Sequence, residues 1–176
     1  MNFRKLLIAT SACVSLMTIQ DADAQIGKPY IHDPSTLAEC DGKYYTFGTG
    51  RGGLISEDGW SWYEGGVRPG GGAAPDVIKI GDRYLVIYGA TGGGLGGGHN
   101  GRILTMWNKT LDPKSPEFKY TEAIEVAASD GMEDNDAIDP GVLLDPNTVR
   151  LWVSYGTYFG FIRLIELDPK TGKRVE

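Results

Sequence analysis

Asp136-Ala137-Ile138-Asp139-Pro140-Gly141 decides how this chain is read, because its Asp-Pro pair repeats an earlier His32-Asp33-Pro34-Ser35 and both open the same succession of strands. The first copy continues through Thr36-Leu37, a turn at Asp41-Gly42 and the aromatic run Lys43-Tyr44-Tyr45-Thr46-Phe47 before stopping at Gly48-Thr49. A weaker copy starts at Pro75-Asp76-Val77-Ile78, turns at Gly81-Asp82 and runs on through Arg83-Tyr84-Leu85-Val86-Ile87-Tyr88. The third runs from Asp139 through Val142-Leu143-Leu144, a turn at Asp145-Pro146-Asn147, and Val149-Arg150-Leu151-Trp152-Val153-Ser154-Tyr155 to Gly156-Thr157. Strand-built units recurring at roughly 40 to 70 residues are the signature of a β-propeller with loops of variable length. In this alignment Asp76 takes the repeat place of Asp33 and Asp139.

Working outward, strand signals dominate: aromatic and β-branched runs of four to seven residues are bounded by turn formers such as Asp41-Gly42 and Asp58-Gly59. Residues 161–167 alternate imperfectly before the turn Asp168-Pro169-Lys170-Thr171-Gly172, and no window after the N-terminal segment sustains a helical period. The expected class is all-β. Two segments break the rhythm. The glycine-rich residues 89–101 read as a loop at the mouth of a pocket, since no Lys-Ser or Lys-Thr follows them as a phosphate cradle requires. Residues 112–135 read as a loop-rich excursion between the second and third copies.

Before the repeats, Asn2-Phe3-Arg4-Lys5, an apolar stretch over residues 6–19 and Ala22-Asp23-Ala24 read as a secretory signal cleaved after Ala24. The stretch is short of the about 20 apolar residues a membrane helix needs, with a retained N-terminal anchor as the alternative. Residues 25–176 then form one domain. Cys40 is the lone cysteine of that domain, so an internal disulfide is excluded, and it reads as a small buried side chain. The net charge of -6 argues against nucleic acid as a partner. Twenty-six glycines and thirteen tyrosines and tryptophans suit turns, short strands and sugar-stacking surfaces. Two histidines far apart offer no metal cluster by spacing.

Taken together, His32-Asp33-Pro34-Ser35, Ala74-Pro75-Asp76-Val77, Asp136-Ala137-Ile138-Asp139-Pro140-Gly141 and Gly156-Thr157-Tyr158-Phe159-Gly160-Phe161-Ile162 resemble glycoside hydrolase family 43, most closely its endo-1,5-α-L-arabinanases. The resemblance covers essentially all of residues 25–176. It implies a five-bladed β-propeller, of which about three blades are present here, that binds a pentose polysaccharide and hydrolyses it with inversion. On that basis Asp33 is the general base, and Asp139 orients the general acid and raises its pKa. Substrate contacts are implied for Asp33, Asp136, Ala137, Ile138, Asp139, Thr157 and Tyr158, with Asp136 standing where the family usually has Asn. No cofactor is required, and the resemblance allows a structural calcium near the propeller axis.

The family's acid is a glutamate of the fourth blade, some sixty residues past Asp139, whereas Glu176 lies 37 beyond it. The expectation is therefore a C-terminally truncated, secreted arabinan hydrolase, inactive alone and prone to associate through uncovered blade faces. A xylosidase or arabinofuranosidase of the same family, or a non-catalytic sugar-binding propeller, are the rival readings, and the oligomeric state is left open. Asp76 is expected to be structural, and His32 to point away from Asp33 as neighbours on an extended strand do. His99 reads equally as a substrate contact and as a solvated loop residue. Trp60, Trp62 and Tyr63 are expected to pack between blades, within a segment that resembles the structural Asp-box turn of sialidases.

Overall fold

A computed structural model describes residues 30–50, 52–68, 72–90, 100–129, 136–156 and 160–176. The signal segment, Thr157, Tyr158 and His99 lie outside the described residues. The described residues form eleven strands: β1 (Ala38–Cys40), β2 (Lys43–Phe47), β3 (Gly52–Ser56), β4 (Tyr63–Val67), β5 (Ala73–Ile80), β6 (Arg83–Ala90), β7 (Arg102–Asn108), β8 (Ile124–Ala128), β9 (Ile138–Leu144), β10 (Leu151–Gly156) and β11 (Arg163–Leu167). They make three antiparallel meanders, β1 to β4, β5 to β8 and β9 to β11, each with its strands side by side in chain order. This is the succession of blades that the repeat predicts.

Local chemistry sets the hairpins. Cys40 pairs with Lys43, so Asp41-Gly42 is a two-residue turn, and both residues have positive φ (52° and 74°), the geometry that matches strand twist. Residues 112–135 are not simply a loop. Ile124–Ala128 pairs with β7 as the fourth strand of the second blade, joining through Ile103↔Ala127 and Thr105↔Ile124. The run is too short to announce itself among Pro113, Pro116 and the polar residues before it, and its partner strand supplies the missing definition.

Packing follows the two-residue period. Along β6, Leu85 and Ile87 belong to the core shared with the third blade, where Ile103, Trp107, Leu151, Val153 and Leu167 join them. The intervening Tyr84 and Val86 belong to the core shared with the first blade, against Cys40, Tyr45, Phe47 and Leu111. A strand buried on both faces reads as an unbroken apolar run. By contrast β10 alternates buried Leu151, Val153 and Tyr155 with half-buried Trp152, Ser154 and Gly156. The far side of the third blade leaves Leu143, Phe161, Ile162 and Leu164 exposed.

The turn after β11 returns to the second blade. Trp107 Nε1 donates to Thr171 O at 3.0 Å, Thr105 Oγ1 donates to Gly172 O at 3.0 Å, and the Arg83 guanidinium lies 3.8 Å over the Trp107 ring while bonding Lys170 O. Trp60 is 70% exposed and Tyr63 half exposed, so these two do not pack between blades. The segment around them is nonetheless the structural turn expected. Asp58 Oδ1 accepts from the amides of Trp60 (2.8 Å) and Ser61 (2.7 Å), and Ser56 Oγ donates to it while accepting from Gly59 N.

Candidate active site

The repeat acquires a sharper definition in the backbone. Asp33, Ala74 and Asp139 each precede a proline and each has positive φ (50°, 40° and 49°). Residues before proline ordinarily sit in extended conformations, and a left-handed non-glycine residue costs roughly 1–3 kcal/mol. Three such residues at one repeat place mark a conformation that the surrounding packing enforces. They also correct the alignment: Ala74, not Asp76, is the counterpart of Asp33 and Asp139. Asp76 matches Ser35 and Gly141, two residues further on.

The left-handed turns gather Asp33, Thr36, Ala74, Asp76 and Asp139 around one open cleft of about 270 Å³. A larger hollow of about 540 Å³, between Lys43, Tyr63 and Asp112, contains neither Asp33 nor Asp139. Asp33 Oδ2 accepts from Thr49 Oγ1 at 2.7 Å, and Thr49 Oγ1 accepts from Ala74 N at 2.9 Å. The Asp33 side chain is thereby tied through one hydroxyl to the next blade. His32 Nδ1 lies 3.0 Å from the same Asp33 oxygen. It does not point away, because the left-handed turn at Asp33 abolishes the alternation of an extended strand.

Burial raises the Asp139 pKa above the usual Asp range, and the Asp33 and Asp136 carboxylates raise it further. Asp136 and Ala137 do not reach the cleft. Asp136 is buried with its Oδ1 accepting from Ser129 Oγ at 3.1 Å, and Ala137 is sealed in the core with its amide donating to the same Ser129 Oγ. Both are buried just before the strand that carries Asp139. Ile138 is half-buried beside Asp139.

Two residues gain roles that spacing did not reveal. Arg68, 1% exposed, donates to Gly48 O, Gly50 O and Gly72 O and lies 4.5 Å from the centroid of the Tyr88 ring. It ties the loop carrying Thr49 to the segment leading into Ala74, and burial lowers its pKa. A single cation amid glycines was the available signal. Asp76 accepts three backbone amides, from Thr36 (3.0 Å), Val77 (2.9 Å) and Val142 (2.9 Å). Among the described residues no group of three or more His, Cys, Asp or Glu side chains is placed to hold a metal ion.

The chain is 31% identical to an exo-1,5-α-L-arabinanase from a bovine ruminal metagenomic library, with a TM-score of 0.73 over 84% of this chain and 52% of that one. It is 28% identical over 164 residues to the extracellular exo-α-(1→5)-L-arabinofuranosidase ArbA of Cellvibrio japonicus, covering 83% of this chain and 46% of that protein. The family 43 endo-arabinanase of Bacillus licheniformis shares the fold, with 24% identity and a TM-score of 0.69 over 86% of this chain and 56% of that one. The relatives and solved structures this chain resembles are arabinanases and arabinofuranosidases of glycoside hydrolase family 43. No family model matches the chain, and it spans about half the length of the relatives it matches. Family 43 arabinanases are five-bladed propellers, and the three meanders correspond to part of one. No helix among the described residues is long and apolar enough to cross a membrane.

Proposed function

We propose that this chain carries the general base and the modulating carboxylate of a glycosidase that hydrolyses α-1,5-linked L-arabinan with inversion, outside the cell. The observation that supports it is the convergence of Asp33 and Asp139, both held in left-handed turns before proline, on one open cleft. Inversion needs one carboxylate to strip a proton from water and a protonated acid on the opposite side of the sugar, with the two carboxyls about 6.5–9.5 Å apart to admit that water. Asp33, exposed and oriented by Thr49, suits the first task. Asp139 suits the role of a negative neighbour that keeps an acid protonated, provided it is itself ionised at the working pH.

No glutamate lines this cleft among the described residues, and we place the proton donor in the part of the relatives' length that this chain does not span. Secretion accords with the extracellular naming of relatives and with the N-terminal signal pattern. The relatives include both exo- and endo-acting enzymes, so product profiling on linear arabinan decides the mode of action.

The test combines calorimetric titration of this chain with arabinohexaose and hydrolysis of linear arabinan. Binding that survives Asp33→Asn is expected, with turnover only where the remaining length of the protein is supplied. In that longer protein Asp33→Asn should lower kcat by about 100- to 10,000-fold. Turnover by this chain alone, or a longer protein indifferent to Asp33→Asn, would overturn the assignment.

A further inference from the structure

One carboxylate sits where all three blades meet. Thr36, Val77 and Val142 each stand three residues beyond a left-handed residue before proline, and the amides of all three donate to Asp76: Thr36 and Val77 to Oδ1, Val142 to Oδ2. The other two blades have nothing that competes for this place. Gly141 has no side chain, and Ser35 Oγ is engaged with Thr36 O and the Phe47 amide. Asp76 is 8% exposed, so water contributes little to satisfying its charge, and bonds from backbone amides to an ionised oxygen are the strong kind.

We propose that Asp76 is a positioning residue for the site, its carboxylate setting the separation between Asp33 and Asp139. The arms from staple to site are short and stiff. Three residues lead from Thr36 back to Asp33 and three from Val142 back to Asp139, and each arm contains a proline that locks one backbone angle. A shift of either amide anchor is therefore transmitted to the carboxyl at the arm's end. The inference rests on the reading of Asp33 and Asp139 as the functional pair, but its test uses no hydrolysis.

The experiment follows the Asp139 carboxyl by 13C NMR titration of the full chain, in the parent and in Asp33→Asn, each with and without Asp76→Asn. The carboxamide keeps one acceptor oxygen and turns an NH2 toward one of the amides. In the parent, Asp33→Asn should lower the Asp139 midpoint by removing a negative neighbour, Asp136 being unchanged. With Asp76→Asn that lowering should shrink by half or more, and the Thr36 or Val142 amide should exchange with solvent about tenfold faster. A purely structural staple would alter amide exchange and melting while leaving the Asp33 effect on Asp139 intact, and that result overturns the proposal. So does an Asp139 midpoint insensitive to Asp33→Asn in the parent. If Asp76→Asn does not fold, Asp76→Glu, which keeps the charge and lengthens the arm by one methylene, is judged by the same criterion. Loss of the hydrolytic reading alone would leave these titrations unaffected, so the two failures are separable.

Discussion

Gly172→Ala probes the contact that joins the end of the third blade to the second. Gly172 has φ +73°, and a Cβ there would stand 2.8 Å from Trp107 Nε1, 3.1 Å from Leu85 Cδ1 and 3.3 Å from Trp107 Cε2. Neither neighbour can yield easily. Leu85 is fully buried, and Trp107 is held by its bond to Thr171 O and by the Arg83 guanidinium over its ring. Gly42→Ala is the matched control, since Gly42 has nearly the same φ (+74°) with nothing within 4 Å of the added carbon.

Both variants incur the left-handed backbone cost of about 1–2 kcal/mol. Only Gly172→Ala adds overpacking, on the order of 2 kcal/mol. At about 2–4 °C per kcal/mol for a chain of this size, it should melt about 4–8 °C below Gly42→Ala. Circular dichroism melts of both variants and the parent measure this directly. Trp107 emission should also shift in Gly172→Ala. Equal melting temperatures for the two variants would show that the turn at 168–173 does not rest on Trp107 and Leu85, and the seam between the blades would have to be redrawn.

Two further predictions concern pH. The folded state holds the Asp139 proton more tightly than the unfolded chain does, so Asp139 costs stability as pH rises from the ordinary Asp range through its raised pKa. Asp139→Asn should raise the melting temperature at pH 7 and leave it nearly unchanged at pH 3, and a lower melting temperature at pH 7 would contradict the burial argument. Asp58 runs in the opposite direction. The amides of Ser61 and Trp60 lower its pKa to about 2, so its stabilising contribution is present above the unfolded Asp range and fades as pH falls toward that value. Asp58→Ala should lower the melting temperature at pH 7, with the deficit closing toward pH 2.

Much of the fold was legible because its signals are local. The cores of β2 and β6 coincide with the aromatic and apolar runs read from sequence, and Asp41-Gly42 forms the turn its chemistry specifies. β8 was not legible, because five residues amid loop composition become a strand only beside β7. Asp33 and Asp139 stood out through a repeated Asp-Pro pair, and Cys40 is the buried side chain expected. Three features are not legible locally. The left-handed turn at Asp33 brings His32 beside it, the left-handed residues before proline align Ala74 and not Asp76 with Asp33, and Trp60 lies exposed on its turn. Each depends on a backbone angle or on the position of a distant strand.

The sequence by itself determined an all-β chain of repeated hairpins and the positions of two recurring acidic residues, because side-chain alternation and turn chemistry act over two to five neighbours. Tertiary structure alone decided that Asp76 accepts amides from positions 40 residues before it and 66 residues after it, that Arg68 bridges two loops, and that Asp136 faces the core. These depend on blades packing side by side, and the burial that makes one carboxylate an anchor and its neighbour a cleft residue exists only once they have done so.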